Sequence, residues 1–275
     1  MQAGSLGAGF CIDRGTFTAV RRRRFRSESA VRINGRRVSA PVSLKTAELF
    51  FAAAEISPEP LEIKHRVKVP QGAGFGTSGA GALSLALALN RLYGSPLNED
   101  QTAGVAHTAD VLCRTGLGTV VGEQRGGFEL RLKAGAPPFG LIDGFFPNET
   151  IYVVFALFGP LSTVRSLSDP LVRERINRSA GERLLRLQND PTPQRFLTEA
   201  ADFSTEAALF SENGRKAAAL LEKYGKRAAM LMFGDGVYTF CFDKREAQKL
   251  KKMLKKNLKS DILISTVSEK GARIR

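Results

Sequence analysis

Apolar and polar residues alternate with the period of a strand over much of the first third of the chain. The stretches GAGFCIDRGTFTAVRRRRF and SAVRINGRRVSAP predict a meander of strands, with a tight turn at Asn34-Gly35. In LEIKHRVKVP, the alternate residues from Leu61 to Val69 are aliphatic except for His65, which predicts a half-buried strand. A glycine-rich stretch follows this strand directly.

Apolar residues recur with the spacing of a helix in two segments, one before and one after the glycine-rich stretch. SLKTAELFFAAAE predicts a helix with Ser43 as its N-cap, and SGAGALSLALALNRLY predicts a helix over 78–93. Asn98, followed three residues later by Gln101, is typical of a capping box. We therefore expect another helix over 98–114.

The rest of the chain mixes strand and helix patterns. TGLGTVVGEQRGGFELRLKAG, at 115–135, predicts a glycine-rich turn, a short apolar segment and a strand, and IYVVFALFG predicts a buried strand. Residues 161–223 predict helices with a break at NDPTP. Residues 228–242 predict two strands around a hairpin at Gly234-Asp235-Gly236.

The chain ends with a lysine-rich helix and a strand. KREAQKLKKMLKKNLK carries its apolar residues three or four apart, so we predict an amphipathic helix with its lysines facing solvent, and DILISTVSE predicts a last strand. Taken together, the pattern predicts an α+β fold. We expect two domains, 1–150 and 151–275.

Composition excludes several classes of protein. With 275 residues, 43% apolar and 25% charged, the chain has the make-up of a globular protein. It has no apolar run long enough for a membrane helix, and its first residues do not predict a secretory signal. Three scattered cysteines without a CxxC motif, and two histidines, do not predict a disulfide framework or a zinc site. We expect a protein of the reducing cytoplasm, with His107 packed inside it.

A net charge of +14 raises the hypothesis of a nucleic-acid partner. The positive residues are spread, however, with clusters only at RRRRFR (21–26) and in the lysine-rich helix. No helix-turn-helix, zinc-finger or RNP-type motif supports base recognition. A basic RNA-binding protein therefore stays an alternative, and attraction of anionic substrates explains the same charge.

The glycine-rich stretch VPQGAGFGTSGAGA leads into the helix predicted over 78–93. Its formal GxGxxG lacks the second strand and acidic residue of a dinucleotide-binding fold, and no lysine follows to make a P-loop. Backbone N–H groups at an open helix N-terminus form an anion site, so we predict phosphate binding here. The alternative is a tight turn with Ser78 as N-cap.

The stretch resembles the phosphate-binding motif of the GHMP kinase superfamily, and within it the archaeal pantoate kinases. GSLGAGFCIDRG, TGLGTV, GG-x-E-x-R, GAPP and PTPQRF are similar to further motifs of those kinases. The resemblance implies ATP-dependent phosphorylation of pantoate to 4-phosphopantoate, a step toward coenzyme A. A GHMP-type kinase of another small alcohol, such as mevalonate or homoserine, is the alternative.

The resemblance also implies a two-domain GHMP kinase-like fold. The N-terminal domain would resemble domain 2 of ribosomal protein S5, and the C-terminal domain would be a ferredoxin-like sandwich. Members of the superfamily often form dimers, so a homodimer is expected, and no membrane partner is. The segment Phe233-Gly234-Asp235-Gly236 would correspond to a third glycine motif near the phosphates.

Site residues follow from the resemblance, position by position. Asp110 and Ser78 would hold Mg²⁺, and Thr119 stands where mevalonate-kinase-like members carry a catalytic aspartate, so it would orient the acceptor hydroxyl or merely end a turn. Arg131 or Arg114 would bind the pantoate carboxylate, because an arginine pairs with a carboxylate through two hydrogen bonds. The residues that would cradle the ATP phosphates are Pro70, Gly72, Gly74, Gly76, Thr77, Ser78 and Gly79, and Gly116 and Gly118 would line the acceptor site.

Overall fold

The computed structural model describes residues 2–24, 28–136, 138–160 and 170–274. The chain forms two compact units. The first unit comprises Met1–Val69, Gly76–Asp143 and Lys270–Arg275, and the second comprises Pro70–Phe75 and Gly144–Glu269. This division differs from a single boundary at residue 150. It assigns segment 70–75, together with residues 144–150, to the second unit and segment 270–275 to the first.

The first unit combines two sheets with helices. Its strands and helices are β1 (Gly7–Phe10), β2 (Thr16–Arg22), β3 (Ala30–Ile33), β4 (Arg36–Arg37), α1 (Pro41–Ala53), β5 (Leu61–Val67), α2 (Thr77–Leu92), α3 (Glu99–Leu112), α4 (Thr119–Arg125), β6 (Phe128–Lys133) and the first part of β7 (Leu141–Phe145), whose last two residues belong to the second unit. One sheet has the order β2-β5-β3-β4 and the other β1-β6-β7.

The predicted meander in the first third of the chain is wrong. β1 pairs with β6 in a separate sheet, and β5 lies between β2 and β3, antiparallel to the first and parallel to the second. Among the described strands from β1 to β5, only β3 and β4 form a hairpin between consecutive strands, and Asn34 (φ 48°) and Gly35 (φ 85°) make its turn as predicted. Local alternation identifies strands, but long-range partners decide the order.

The predicted alternation along β5 is confirmed. Leu61, Ile63, His65 and Val67 are buried, while Lys64 and Arg66 on the other side are exposed. The buried side packs in a core with the apolar faces of α1, α2 and α3, where Phe50, Leu85 and Leu89 are fully enclosed. This core fixes the helix that follows the glycine-rich stretch.

Helix caps match the sequence in one case and not in another. The capping box of α3 is present, with Asn98 and Gln101 each accepting a backbone N–H from the other. The assignment of Ser43 as an N-cap is wrong, because α1 begins at Pro41, which fits the first helical turn. Ser43 instead lies inside the helix and hydrogen-bonds His65.

The second unit has a single four-stranded antiparallel sheet. Its elements are β8 (Tyr152–Pro160), α5 (Pro170–Asn189), α6 (Pro193–Glu206), α7 (Glu212–Glu222), β9 (Ala229–Met230), β10 (Gly234–Cys241), α8 (Lys244–Asn257) and β11 (Asp261–Thr266). The strand order is β11-β8-β10-β9. The predicted start of the helical region, 161–169, lies outside the described residues.

The hairpin between β9 and β10 turns earlier than predicted. Gly234-Asp235-Gly236 lies within β10, where a bulge separates Asp235 from Gly236. The turn comes before Gly234 and includes Phe233 at a positive φ of 59°.

The lysine-rich helix α8 is amphipathic as predicted, with Ala247, Leu250 and Leu254 buried. No helix among the described residues combines the length and apolarity needed to cross a membrane.

The buried His65 makes stability depend on pH. Its ring lies between Thr18, whose hydroxyl is 2.8 Å from Nδ1, and Ser43, whose hydroxyl is 3.0 Å from Nε2. Burial lowers the pKa of His65 from 6.5 to about 4. Between those values the unfolded chain binds a proton that the folded chain does not. Stability should therefore fall as pH drops through this window, by up to about 1.4 kcal/mol per pH unit.

Urea unfolding of wild type and His65→Gln at pH 7, 6, 5 and 4.5 checks this prediction. The difference in unfolding free energy between the two proteins should shrink or reverse toward acid pH, because only the wild type loses the histidine contribution. Carboxylates titrate in both proteins and cancel in the difference. An unfolding free-energy difference that stays constant with pH would show that His65 is not held neutral by the fold.

Candidate active site

The glycine loop turns through left-handed backbone at every second residue. Gly72, Gly74 and Gly76 have φ values of 75°, 85° and 66°. Within the second unit, a Cβ on Gly74 would lie 2.9 Å from the Met232 carbonyl oxygen, and a Cβ on Gly234 would overlap the Ala73 carbonyl. Loop and β10 therefore meet backbone to backbone, which only glycine permits. Pro70, at the start of the loop, is exposed.

The N-terminus of α2 is open. Gly76 is its N-cap and no side chain caps it, so the alternative assignment of Ser78 as N-cap is wrong. The first backbone hydrogen bond runs from Ala80 N to Gly76 O. The N–H groups of Thr77, Ser78 and Gly79 precede that bond and have no partner within the helix. With the helix dipole, they form a site for an anion.

Asp110 faces this helix end from α3. It is 1% exposed, so it is no surface residue. The Thr115 hydroxyl donates a hydrogen bond to its Oδ1 at 2.5 Å, while Oδ2 is enclosed and has no hydrogen-bond partner. Burial raises the pKa of Asp110, and hydrogen bonds from Thr115 and Ser78 oppose that rise. A Cβ on Gly116 would overlap Oδ2, so glycine is required there.

Thr119 begins α4 and lies between Asp110 and the start of α2. A Cβ on Gly116 would lie 3.3 Å from Oγ1 of Thr119 and still closer to Oδ2 of Asp110, so both side chains approach Gly116. Its methyl group would overlap a Cβ on Gly76. The sequence predicted a turn and an apolar segment here, and the structure has a helix instead.

That helix brings in Glu123, a residue that the sequence analysis missed. It follows Thr119 by four positions, so both side chains point the same way. Burial, together with the charges of Asp110 and Glu129, raises the pKa of Glu123 well above its ordinary value. The C-terminal segment holds α4 in place, since Ala272 N donates to the Glu123 carbonyl at 2.8 Å. No pattern in TGLGTVVGEQRGG predicts this helix, so no signal in the sequence identified Glu123.

Arg131 lies beside this cluster, on β6. It forms an ion pair with Glu129, and its Nε is enclosed without a hydrogen-bond partner. Burial raises the pKa of Glu129, and the charge of Arg131 opposes the rise. Cβ atoms on Gly7 and Gly118 would lie 2.9 Å and 2.6 Å from the Arg131 guanidinium, so glycines of two segments leave it room.

The other candidate arginine lies elsewhere. Arg114 is exposed, at a positive φ of 56° where the chain leaves α3. His107 is buried and bonds the Ala3 carbonyl through Nε2 at 2.7 Å. Within the first unit, the structure thus brings together Gly76, Thr77, Ser78, Gly79, Asp110, Gly116 and Thr119, with Gly118 and Arg131 adjoining, while the side chain of Arg114 is exposed.

Comparison with known proteins gives relatives over almost the whole chain. Residues 42–119 match the family described as GHMP kinases N terminal domain. A pantoate kinase of Thermococcus kodakarensis is 34% identical over 273 residues, which cover 95% of this chain and 87% of that protein. A pantoate kinase of Methanocaldococcus jannaschii is 28% identical over 249 residues, which cover 90% of this chain and 86% of that protein. A solved structure described as a phosphotransferase related to the CoA biosynthesis pathway has a TM-score of 0.84 and 28% identity, over 98% of this chain and 89% of that one.

The glycines at the start of α2 should differ sharply in their tolerance of alanine. Gly76→Ala places a Cβ at a left-handed φ and against Thr119, so it should lower the unfolding free energy by about 1 to 3 kcal/mol. Gly81→Ala is the matched control, since nothing lies within 4 Å of its Cβ and the helix gains up to about 1 kcal/mol. Urea unfolding measures both, and equal stabilities of the two variants would contradict the described geometry.

Proposed function

The chain belongs to the pantoate kinase family of the GHMP kinases, and we propose that it transfers the γ-phosphoryl group of ATP to the 4-hydroxyl of pantoate. The products are ADP and 4-phosphopantoate, an intermediate toward coenzyme A. One observation carries the proposal most directly. An uncapped helix N-terminus stands next to a buried aspartate with an unpartnered oxygen, as phosphate and cation binding require.

The phosphates of ATP bind the start of α2 in this proposal. The N–H groups of Thr77, Ser78 and Gly79 donate to phosphate oxygens, and Gly76, with its left-handed φ, leads the backbone into that helix end. Pro70 sets the entry to the loop. No side chain has to leave the helix end before phosphate can bind, because none caps it.

Mg²⁺ fits the residues beside this helix end. Oxygen donors are what Mg²⁺ prefers, and the unpartnered Oδ2 of Asp110 with the Ser78 hydroxyl supplies them. The ion would neutralise charge on the transferring phosphate. Within the described residues, no group of three or more His, Cys, Asp or Glu side chains could hold a metal. Phosphate oxygens and water would therefore complete the coordination, as is usual for Mg²⁺.

The transfer forms a bond between the pantoate hydroxyl oxygen and the γ-phosphorus and breaks the bond from that phosphorus to the β–γ bridging oxygen. Thr119 cannot act as a base, so in this account its hydroxyl orients the acceptor. A loose transition state places little charge on the attacking oxygen early, and the hydroxyl proton passes to the phosphoryl group as the product forms. Positioning and charge stabilisation then supply the catalysis.

Arg131 is the better candidate of the two arginines for the pantoate carboxylate. Its guanidinium is largely enclosed, faces Gly7 and Gly118, and has a free Nε. A carboxylate in that space would receive charge-assisted hydrogen bonds. Gly116 and Gly118 let the 115–118 loop lie against Asp110 and Arg131, so the same loop would line both the cation and the acceptor sites.

The finer fold assignment is also part of this proposal. We assign the first unit to the ribosomal protein S5 domain 2-like folds and the second to the ferredoxin-like sandwiches. The order β11-β8-β10-β9, with helices between β8 and β9 and between β10 and β11, supports the second assignment. A homodimer, expected from the superfamily, stays a prediction.

Release of ADP from ATP and Mg²⁺ with pantoate, mevalonate, homoserine or no acceptor tests the reaction. We expect ADP only with pantoate, and ³¹P NMR should identify a phosphomonoester product. Turnover with mevalonate or homoserine alone would assign another acceptor. No turnover with any acceptor, together with RNA binding that falls steeply with salt, would favour the RNA-binding alternative.

Substitution of each candidate arginine by lysine tests the acceptor site. Arg131→Lys keeps the charge but loses the paired hydrogen bonds, so kcat/KM for pantoate should fall about 10- to 100-fold, mainly through KM. Arg114→Lys is the matched control and should leave kcat/KM within about twofold, because Arg114 is exposed, and an exposed arginine contributes little to binding an enclosed carboxylate. The reverse ranking of the two variants would move the carboxylate site to Arg114.

A further inference from the structure

Glu123 is the one carboxylate beside the start of α2 that neither the sequence motifs nor the proposed reaction uses. Its Oε1 is 3.0 Å from the position of a Cβ on Gly76, and its Oε2 is 3.1 Å from that of a Cβ on Gly79. The carboxylate therefore lies against the first turn of α2. Oε2 is enclosed and, among the described residues, has no hydrogen-bond partner, so this oxygen caps none of the N–H groups there.

The surroundings of Glu123 offer no neutralising charge. Asp110 and Glu129 face it with the same sign, and the nearby Arg131 is already paired with Glu129. Cys11, whose thiol donates to the Gly122 carbonyl, lies in the field of both glutamates, and burial and these charges raise its pKa to about 12. An enclosed, unpaired carboxylate is unfavourable by several kcal/mol unless a cation or a proton joins it.

A capping role does not explain Oε2 of Glu123, because that oxygen accepts no hydrogen bond from the first-turn N–H groups or from any other described residue. A carboxylate next to bound phosphate would repel it unless a cation stood between them. The unpartnered oxygen of Asp110, itself 1% exposed, provides a second enclosed donor near the same helix end.

We infer that Glu123 supplies the second carboxylate of a divalent-cation site, with Asp110, at the start of α2. This inference rests on the proposed function, since ATP phosphates would complete the ion's coordination. Two carboxylates and a hydroxyl bind Mg²⁺ weakly alone, so the ion should bind tightly only with nucleotide present. Thr119 lies near both acids, since it approaches the Cβ positions of Gly76 and Gly79, as Glu123 does, and that of Gly116, as Asp110 does. Asp110, Glu123 and the Ser78 hydroxyl would hold the ion.

Binding of Mn²⁺ in place of Mg²⁺, followed by electron paramagnetic resonance, tests the inference without catalysis. The protein is titrated with Mn²⁺ with and without the non-hydrolysable ATP analogue AMPPCP. For wild type, the analogue should tighten Mn²⁺ binding. Glu123→Gln should weaken Mn²⁺ binding in the analogue complex about 10-fold or more, and Asp110→Asn should do the same. Glu99→Gln, an exposed acid on the same helix as Asp110, is the matched control and should bind as wild type does.

A second readout separates a cation ligand from a structural residue. Without any metal, Glu123→Gln should bind AMPPCP at least as tightly as wild type, because the neutral amide has the size of the carboxyl group and does not repel phosphate. A merely structural role would weaken analogue binding with and without metal alike, and would overturn the inference. Should the glutamine variant not fold by circular dichroism, Glu123→Asp replaces it: the acid is kept but withdrawn by one methylene, so Mn²⁺ binding in the analogue complex should weaken while metal-free analogue binding stays as in wild type.

The outcomes for this inference and for the proposed function are distinct. Wild type that binds neither AMPPCP nor Mn²⁺ with it would overturn the proposed function and this inference together. Wild type that binds both, with Glu123→Gln within twofold of it in Mn²⁺ affinity, would overturn only the assignment of Glu123. Loss of Mn²⁺ affinity in both carboxylate variants would support it.

Discussion

Negative charge held in an enclosed space beside an uncapped helix is the constraint on which this site depends. Among the described residues, Asp110 and Glu123 each carry an enclosed oxygen without a partner, while the first N–H groups of α2 have no partner within the helix and no side-chain cap. Opposite charges could have satisfied each other directly, as an N-cap does, and here they do not. The protein keeps both donors and acceptors available, which stores free energy that a phosphate and a cation can release on binding.

Glycine maintains that arrangement at every point of close approach. Gly76 and Gly79 let Thr119 and Glu123 lie against the first turn of α2, and Gly116 does the same for Asp110. The ordinary helix glycine Gly81 has no neighbour within 4 Å, so density of glycine alone does not mark the site. What matters is which side chain occupies the space where a Cβ would stand. The nearest atom is a carboxylate oxygen at Gly79 and Gly116 and a guanidinium nitrogen at Gly118, while at Gly76 it is the methyl group of Thr119.

Local patterns in the sequence were enough to predict much of the scaffold but not all of the site. The alternation of β5, the capping box of α3 and the amphipathic α8 depend on nearby residues, and all three are confirmed. The order of β1, β2, β3 and β5 depends on pairings across tens of residues, and the predicted meander was wrong. Helix α4, only seven residues long and flanked by glycines, shows no clear helical period, so Glu123 was missed with it.

A crystal structure with AMPPCP, Mn²⁺ and pantoate is the most direct measurement, since anomalous scattering locates Mn²⁺ independently of the phosphates. We expect the ion between the nucleotide phosphates and the carboxylates of Asp110 and Glu123, and phosphate oxygens on the N–H groups at the start of α2. Phosphates or ion bound away from that helix end, with both carboxylates still unpartnered, would contradict the account.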